Sequence, residues 1–266
     1  MDRAQALKRA ANILWTAWQQ GEAIRALPPE IRPVSRSEGY QVQAALEGRS
    51  SAPLFGWKIA ATSVAGQQHI QVGGPIAGRL LRERVHRPGS RLSLAHNRMA
   101  VAEPEFAFRL GRNIQPRGKP YAVDEVALAV ADLHPAIEIP DSRFADFTQA
   151  GEAQIIADNA CANDVVVGNA ASPGWRDIDL SAHPVIGRVT GAARNYARAG
   201  SGRAVLGSPI VALVWLVNEL TALGCTLHRD QLIITGACTP PLEVMAGDEV
   251  HADFGSLGSV SVSFSE

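Results

Sequence analysis

Two glutamates, Glu103 and Glu105, stand two residues apart in the apolar segment VAEPEFAF at residues 101–108. In a β-strand, residues i and i+2 point to the same face, so the two carboxylates would lie side by side. Like charges at that distance repel each other unless a cation lies between them. A solvated strand face is the general explanation for such a pair, because most glutamates are exposed. The valine, proline, alanine and phenylalanine residues around this pair favour burial instead, and buried charges must be paired or coordinate a metal.

A third acid, Glu138, lies in another apolar segment, HPAIEIPDSRF. Mg²⁺ and Mn²⁺ prefer oxygen ligands and keep open positions for water or substrate. Three carboxylates in apolar strands are therefore the ligand set that such a hard divalent cation needs. The sequence predicts a metal site formed by Glu103, Glu105 and Glu138, although spacing alone does not bring Glu138 to the other two.

The composition limits the partners of such a site. Of 266 residues, 46% are hydrophobic and the formal net charge is −1, which favours a compact protein and argues against nucleic acid as a partner. Charged residues at the N-terminus occupy the place of a signal peptide's apolar core, and no apolar run approaches the roughly 20 residues of a membrane span. We therefore expect a cytoplasmic protein without membrane association. The cysteines, Cys161, Cys225 and Cys238, lack C-x-x-C spacing and are predicted to be buried thiols.

Two helices are predicted at the start of the chain. Apolar residues recur at three- and four-residue steps over a helix of about 18 residues, and the glycine and prolines of GEAIRALPPEIRP end it. The segment SRSE at residues 35–38 has the spacing of a capping box and begins a second helix that ends near Gly48. Residues 1–52 are thus predicted to form an N-terminal helical region.

Residues 53–266 are predicted to form a β-rich catalytic domain, because short β-rich runs such as DVVVGN and GSVSVSF alternate with glycine and proline. Two helices interrupt these runs, one at residues 123–133 and an almost wholly apolar one at residues 208–224. The predicted fold class is therefore α+β, with a largely antiparallel or mixed β core. The GSLG segment at residues 255–258 is predicted to be a hairpin turn, because it lacks the helix and lysine of a phosphate-binding loop.

Several segments resemble one enzyme family. The segments AEPEFAF, PAIEIPDSRFADF, IIADNACANDVVVG and AGDEVHADFGSLGSVSVSF, with GWKIAATS upstream, are similar to the 2-keto-4-pentenoate hydratase family. This family belongs to the fumarylacetoacetate hydrolase superfamily and also contains 2-oxo-3-hexenedioate (4-oxalocrotonate) decarboxylases. The resemblance runs from about Trp15 to the C-terminus. It implies a rolled mixed β core, assembly into homo-oligomers, and Mg²⁺ or Mn²⁺ held by Glu103, Glu105 and Glu138.

The resemblance also implies an activity, that of a metal-dependent lyase acting on small 2-oxo acids in aromatic catabolism. In the hydratase reaction, a 2-hydroxy-2,4-dienoate tautomerises to a conjugated ketone, and water adds at the far carbon to give a 4-hydroxy-2-oxo acid. In the decarboxylase reaction, the same chelated 2-oxo acid accepts electrons from a leaving carboxylate. A hydratase is the main prediction. A 2-oxo-3-hexenedioate decarboxylase and a non-catalytic partner subunit of the same fold are the alternatives.

Lys58, in FGWKIAATS, is the predicted catalytic and substrate-binding cation. Its apolar neighbours favour burial, and a buried ammonium must be paired with an anion or lower its pKa, although a lysine at a strand end can also extend to water. The family places a functional lysine here, which assigns Lys58 to the substrate carboxylate or oxo group. By the same resemblance, Thr235 and Gly236 bind the substrate, and Arg143 and Asp158 support the site from outside it. A strand-ending turn explains the first pair equally well, and a cap or an ion pair explains the second.

One departure from the family concerns proton transfer. Many hydratases carry an acid in a PD[FY]G segment, whereas this chain reads GGPIAG at residues 73–78, with Ile76 at the position of the aspartate. This predicts that hydration of an unsubstituted pentadienoate is slow. The superfamily's C–C hydrolases carry an NY-x-D-H-x-x-E segment, whereas His69 here has no matching glutamate. Hydrolytic cleavage is therefore disfavoured.

Overall fold

The computed structural model of the protein describes residues 2–266. Within that range the chain forms six α-helices, which are α1 (Arg3–Gln20), α2 (Arg36–Ala44), α3 (Val64–His69), α4 (Val123–Ala127), α5 (Glu152–Ala157) and α6 (Pro209–Ala222). The strands are β1 (Gly56–Ala60), β2 (Ile76–Leu80), β3 (Val85–His86), β4 (Ser90–Ser93), β5 (Val101–Leu110), β6 (Val130–Ile139), β7 (Asp164–Val167), β8 (Pro184–Thr190), β9 (Asn195–Ser201), β10 (Leu232–Ala237), β11 (Leu242–Glu243), β12 (Glu249–Asp253) and β13 (Ser259–Ser265).

The strands form two sheets. The larger has the order β2-β1-β10-β5-β6-β7-β3, and β11 pairs with β5 outside this path. The smaller has the order β4-β13-β12-β8-β9. Both sheets are mixed, because the pairs β1/β10, β3/β7 and β4/β13 are parallel and the remaining pairs are antiparallel. The predicted α+β class with a mixed β core is confirmed.

The two sheets face each other across one hydrophobic core. Phe106 of β5 packs edge-on against Phe254, which follows β12, with 5.2 Å between ring centroids. The strands β1 and β10 approach so closely that a Cβ on Gly56 would lie 1.8 Å from the carbonyl oxygen of Leu232. Glycine at position 56 therefore lets the parallel pair form, and this pair carries Lys58 beside β10.

The two predicted N-terminal helices form, although α2 ends at Ala44 and not near Gly48. Leu7, Leu14 and other apolar residues of α1 are buried, and Gly21 ends the helix in the left-handed conformation (φ 65°). The hydroxyl of Ser35 accepts a hydrogen bond from the backbone N–H of Glu38 at 3.3 Å, which confirms the predicted N-cap of α2. Both helices bury residues in the same core as the sheets, and the boundary between residues 52 and 53 stays a prediction.

The predicted helix at residues 123–133 is wrong in its second half. Helix α4 ends at Ala127, and β6 begins at Val130. From there β6 pairs with β5, so tertiary pairing overrides the local helical pattern. The turn at Gly255–Leu257 does connect two antiparallel strands, β12 and β13, which confirms the prediction for this segment.

The apolar helix predicted at residues 208–224 is confirmed as α6. The hydroxyl of Ser208 accepts a hydrogen bond from the N–H of Ile210 at 3.3 Å, and Pro209 occupies the first turn. The segment Gly202–Ala222 has the length and hydropathy of a membrane span, contrary to the prediction that no apolar run approaches that length. Helix α6 contributes Leu213, Leu216 and other residues to the main core, as core helices of globular proteins do.

Candidate metal and substrate site

The larger sheet brings Glu103, Glu105 and Glu138 together. Glu103 and Glu105 lie on β5, and the antiparallel ladder between β5 and β6 places Glu138 directly opposite Glu103. A carboxylate oxygen of each residue lies within 4.8 Å of those of the other two. The side chains predicted from three separate positions therefore form one cluster.

The hydrogen bonding of these carboxylates fits a cation. Glu105 and Glu138 are 0% and 1% exposed. One oxygen of Glu105, Oε2, accepts a hydrogen bond from the Gly236 N–H at 2.6 Å. Its Oε1 and Oε1 of Glu138 are buried without a partner among residues 2–266, while Glu138 Oε2 makes no hydrogen bond there but is ion-paired with Lys58. Buried polar atoms are rarely left unsatisfied, so these oxygens are suited to ligate a divalent cation.

The pKa values of all three acids are raised above their ordinary values. Burial first, and then the charge of Glu138, raise the pKa of Glu103 to about 7. Burial and the two neighbouring carboxylates raise the pKa of Glu105 well above its ordinary value. Burial also raises the pKa of Glu138, although the nearby Lys58 opposes the shift. Three ionised carboxylates at this place therefore need additional positive charge.

Lys58 supplies one positive charge from β1. Its Nζ lies 3.1 Å from Glu138 Oε2, at ion-pair distance, and donates a hydrogen bond to the carbonyl oxygen of Ala160 at 3.0 Å. Burial acts to lower the pKa of Lys58, but Glu138 and the other two glutamates outweigh it and raise the pKa above its ordinary value. The side chain is 3% exposed, so a charged ammonium is held inside the protein.

A cavity of about 820 Å³ lies beside this cluster, and both Lys58 and Glu103 form part of its wall. Gly236, the predicted substrate-binding residue, also lines the cavity. Thr235 is fully buried and donates its hydroxyl hydrogen to the Phe106 carbonyl oxygen at 3.1 Å, so the structure does not bring it into the cavity wall. The remaining wall is mostly apolar, as in most small-molecule sites.

Several polar residues of this wall were not identified from the sequence: Thr62, Ser63, Ser201, Arg203 and Thr239. Thr62 and Ser63 follow Lys58 in the segment GWKIAATS. The family resemblance included this segment but assigned no role to either residue. Ser201 ends β9, and Arg203 and Thr239 lie on the connections after β9 and β10, whose position beside β1 depends on sheet order. Sequence spacing carries no signal for that order.

Comparison with known proteins identifies the family. The chain is 31% identical over 264 residues to a 2-keto-4-pentenoate hydratase of Paraburkholderia xenovorans (strain LB400), covering 98% of this chain and 95% of that protein. The chain belongs to the 2-keto-4-pentenoate hydratase family. It is also 33% identical over 212 residues to a 4-oxalocrotonate decarboxylase of a Pseudomonas species, covering 80% of this chain and 79% of that protein. The predicted family is thus confirmed, while no protein-family model matches the sequence.

Solved structures confirm the fold of this hydratase-family member. A 4-oxalocrotonate decarboxylase from Pseudomonas putida G7, complexed with magnesium and adipate, matches with a TM-score of 0.86 at 24% identity, covering 99% of this chain and 98% of that chain. The same enzyme complexed with calcium and acetate gives 0.84 at 25% identity, with the same coverage. A fumarylacetoacetate hydrolase from Exiguobacterium antarcticum gives 0.53 at 12% identity, covering 80% of this chain and 75% of that chain.

A strained turn, Asn159–Cys161, carries the backbone carbonyl oxygen that accepts the hydrogen bond from Lys58. Asn159, Ala160 and Cys161 have φ angles of 58°, 52° and 58°, the left-handed region that non-glycine residues rarely adopt. The side chain of Asn159 accepts a hydrogen bond from the Arg79 N–H at 2.6 Å and donates one to the Arg79 carbonyl oxygen at 2.8 Å. The turn is thereby fixed to β2, with the Ala160 carbonyl oxygen at Lys58.

The sequence did not single out Asn159, although it lies in the ADN segment that carried part of the family resemblance. The adjacent Cys161 lines the cavity, and burial raises the pKa of its thiol to about 12, so the thiol stays protonated near neutral pH. Cys161 and Cys238 are buried as predicted, whereas Cys225 is only partly buried.

Arg143 and Asp158 form a buried ion pair behind the turn. The Arg143 Nε donates a hydrogen bond to Asp158 Oδ1, and the hydroxyl of Ser142 donates one to Oδ2 at 2.6 Å. Arg143 also donates a hydrogen bond to the Ala162 carbonyl oxygen at 3.0 Å and places its guanidinium over the Trp18 ring. Neither member of the pair lines the cavity. The contacts favour the structural explanation, in which the pair holds the turn from outside.

Ile76 lies at the start of β2 and is 0% exposed. Its side chain belongs to the main hydrophobic core and does not line the cavity within the described residues. An aspartate at this position would be surrounded by apolar side chains. A side chain at position 76 therefore does not reach the cavity, and slow pentadienoate hydration stays a prediction.

Proposed function

We propose that this chain is a metal-dependent lyase for small 2-oxo acids, in which Glu103, Glu105 and Glu138 hold one divalent cation. The observation that carries this proposal is the set of buried carboxylate oxygens without hydrogen-bond partners among residues 2–266, next to a cavity and a buried lysine. The oxygen ligands suit Mg²⁺ or Mn²⁺. The calcium in the 25% identical decarboxylase structure supports a site for divalent cations.

The cation, when bound, would stabilise negative charge on the 2-oxo group of a chelating 2-oxo acid. The protein's own side chains and backbone would hold and polarise the substrate beside this cation. Lys58 carries a fixed ammonium in the cavity wall and would pair with the carboxylate or polarised oxo oxygen of the substrate. Glu138 and the Ala160 carbonyl oxygen hold the ammonium in place. Apolar walls exclude water and strengthen both interactions.

Hydration of a 2-hydroxy-2,4-dienoate is the main function we propose, in accord with the 31% identical hydratase. Decarboxylation of 2-oxo-3-hexenedioate is the second, in accord with the 33% identical 4-oxalocrotonate decarboxylase. General acid–base catalysis contributes about 10² to 10⁴ in rate, and Ile76, which lies in the core and not in the cavity wall, cannot contribute it to either reaction. Electron flow from a leaving carboxylate into the 2-oxo group does not require a group that delivers water.

A non-catalytic partner subunit would retain the fold without needing the cluster. Three clustered acids, two of them fully buried, destabilise a protein in the absence of a cation, so their presence supports an enzyme. We further propose a cytoplasmic homo-oligomer, without nucleic acid or membrane partners, in keeping with the net charge of −1 and the burial of α6.

Product analysis separates the two activities. The protein would be incubated with Mg²⁺ and either 2-hydroxypenta-2,4-dienoate or 2-oxo-3-hexenedioate, with Glu105→Gln as the inactive control. A 4-hydroxy-2-oxo acid from the first substrate indicates a hydratase, and carbon dioxide from the second indicates a decarboxylase. Fast hydration by the unmodified chain would show that the proton-transfer acid lies elsewhere than position 76. Turnover of neither substrate would contradict the proposed function.

A further inference from the structure

The cavity beside the glutamates has a second cationic group. Lys58, at one part of the wall, is 3% exposed and already paired with Glu138. Arg203 lines the same cavity but is exposed. The wall of this one cavity thus includes both residues of the metal and lysine cluster and an arginine at the protein surface, and it is mostly apolar.

The backbone of Arg203 is fixed beside the cavity. It lies in the short turn Gly202–Ala204 that follows β9. Gly202 is buried against the backbone of Leu180, so closely that a Cβ there would lie 2.0 Å from the Leu180 carbonyl oxygen. Beyond the turn, the Leu206 N–H donates a hydrogen bond to the Thr62 carbonyl oxygen at 3.0 Å, next to the end of β1. The arginine is therefore held by backbone packing on both sides.

The guanidinium of Arg203 is available for a ligand. Across residues 2–266, no carboxylate lies within 4.0 Å of its nitrogen atoms, and no side chain accepts a hydrogen bond from it. Many other arginines are paired, including Arg143 with Asp158 and Arg198 with Glu243. The carboxylate influenced by its charge, Asp179, accepts its hydrogen bonds from Ser181 instead.

We propose that Arg203 binds a second carboxylate, at the end of the substrate remote from the 2-oxo acid group. The inference rests on the proposed function, because the metal site must fix the first end. The far end of a pentadienoate is an apolar vinyl group, which offers a guanidinium nothing to bind. A carboxylate there would accept paired hydrogen bonds from the planar guanidinium. Arg203 therefore selects dicarboxylic 2-oxo acids, the class that includes 2-oxo-3-hexenedioate.

Two ligands of equal chain length test this selection without turnover. 2-Oxoadipate and 2-oxohexanoate share the 2-oxo acid end and six carbons, and they differ in the second carboxylate. Calorimetric titration in the presence of Mg²⁺ should give about tenfold tighter binding of 2-oxoadipate to the parent protein, which corresponds to about 1.4 kcal/mol. In Arg203→Gln, this preference should fall to about twofold or less, with the affinity for 2-oxohexanoate unchanged.

Two control variants make the result specific. Arg91→Gln removes the same charge from an exposed residue of β4 outside the cavity wall and should retain the preference. His69→Gln removes the other exposed cavity residue able to carry positive charge and should retain it as well. Arg203 is exposed, so the melting temperature of Arg203→Gln should match that of the parent.

The possible outcomes distinguish a failure of the Arg203 proposal from a failure of the proposed function. If Arg203→Gln keeps the tenfold preference, if His69→Gln loses it instead, or if the parent binds both ligands equally, the role of Arg203 is wrong and the proposed function stands. If the parent binds neither ligand in the presence of Mg²⁺, both proposals fail together.

Discussion

At the scale of single residues, burial distinguishes the glutamates of this site from a solvated pair. The sequence predicted that Glu103 and Glu105 share a strand face, because alternation is a property of any strand. The apolar neighbours indicated burial correctly for Glu105, whereas Glu103 is only partly buried and lines the cavity. The sequence could not predict the oxygens left without partners, or the Gly236 N–H that bonds Glu105, because β10 lies beside β5 only in the folded sheet.

Neutralising one ligand should affect metal binding far more than it affects folding. Glu105→Gln removes a charge that repels Glu103 and Glu138, so we expect the metal-free variant to be at least as stable as the parent. We also expect its affinity for Mn²⁺ to fall by about 100-fold or more, since even supporting residues of metal sites change affinity by about 10- to 100-fold. Calorimetric titration of Mn²⁺ measures this. Glu249→Gln, at an exposed site on β12, is the matched control, and equal affinities in all three proteins would exclude the metal site.

The stability of the metal-free protein should depend on pH through Glu103. Its pKa is raised from 4.5 to about 7 in the folded state, so between these values the folded protein binds more protons than the unfolded chain. The contribution of Glu103 to stability is therefore full below about pH 4.5 and is lost as the pH rises to about 7. Urea denaturation in the presence of a chelator, across this range, measures the slope. Glu103→Gln should lack this contribution, and an identical slope in the variant would contradict the assignment.

At the scale of elements, the site depends on one strand register and one turn. The sequence predicted a helix through residues 123–133, where β6 in fact begins at Val130. The pairing that sets Glu138 opposite Glu103 could not be predicted, because the register of a long-range strand pair is set by packing of the whole sheet. The left-handed turn Asn159–Cys161 was also not predicted, because neither Asn-Ala-Cys nor its neighbours include the glycine that usually marks such a conformation.

Asn159 should act on Lys58 through this turn. Asn159→Ala removes both hydrogen bonds to the Arg79 backbone, so the buried N–H and carbonyl groups of Arg79 lose these partners. We expect this loss to cost about 1–3 kcal/mol of stability. The Ala160 carbonyl oxygen then loses its fixed place beside Lys58, so the affinity for oxalate with Mg²⁺ should fall by more than about fivefold. Urea denaturation and calorimetry measure the two effects. Asn195→Ala, exposed on β9, is the control, and unchanged oxalate binding in Asn159→Ala would reduce the turn to a structural role.

At the scale of the whole molecule, the predicted class was correct because it depends on patterns that each segment carries alone. The runs in residues 53–266 gave a β-rich core, and α6 gave a buried apolar helix. Sheet order was beyond the sequence pattern, since it depends on which strands meet over long distances. The assembly into homo-oligomers stays a prediction.

Ligand binding should stabilise the whole chain if the metal site and Lys58 act together. A ligand that binds only the folded protein adds about 2.7 kcal/mol at 100 times its Kd, and about 1 kcal/mol shifts the melting temperature of a chain of this size by about 2–4 °C. We therefore expect Mg²⁺ with oxalate, which mimics the chelating end of a 2-oxo acid, to raise the melting temperature by about 5–10 °C. Glu105→Gln should lose the shift entirely, because oxalate then has no cation to chelate.

Lys58→Met tests the role of the lysine separately from that of the metal ligands in the same measurement. It keeps much of the side-chain volume but removes the ammonium that faces the cavity, so Mg²⁺ alone should still stabilise the variant while oxalate adds little. Calorimetry should show oxalate affinity reduced by far more than about twofold, the change that corresponds to roughly 0.4 kcal/mol. If oxalate binds Lys58→Met as tightly as it binds the parent, the lysine only neutralises Glu138. The substrate would then be held by the cation and the remaining cavity wall alone.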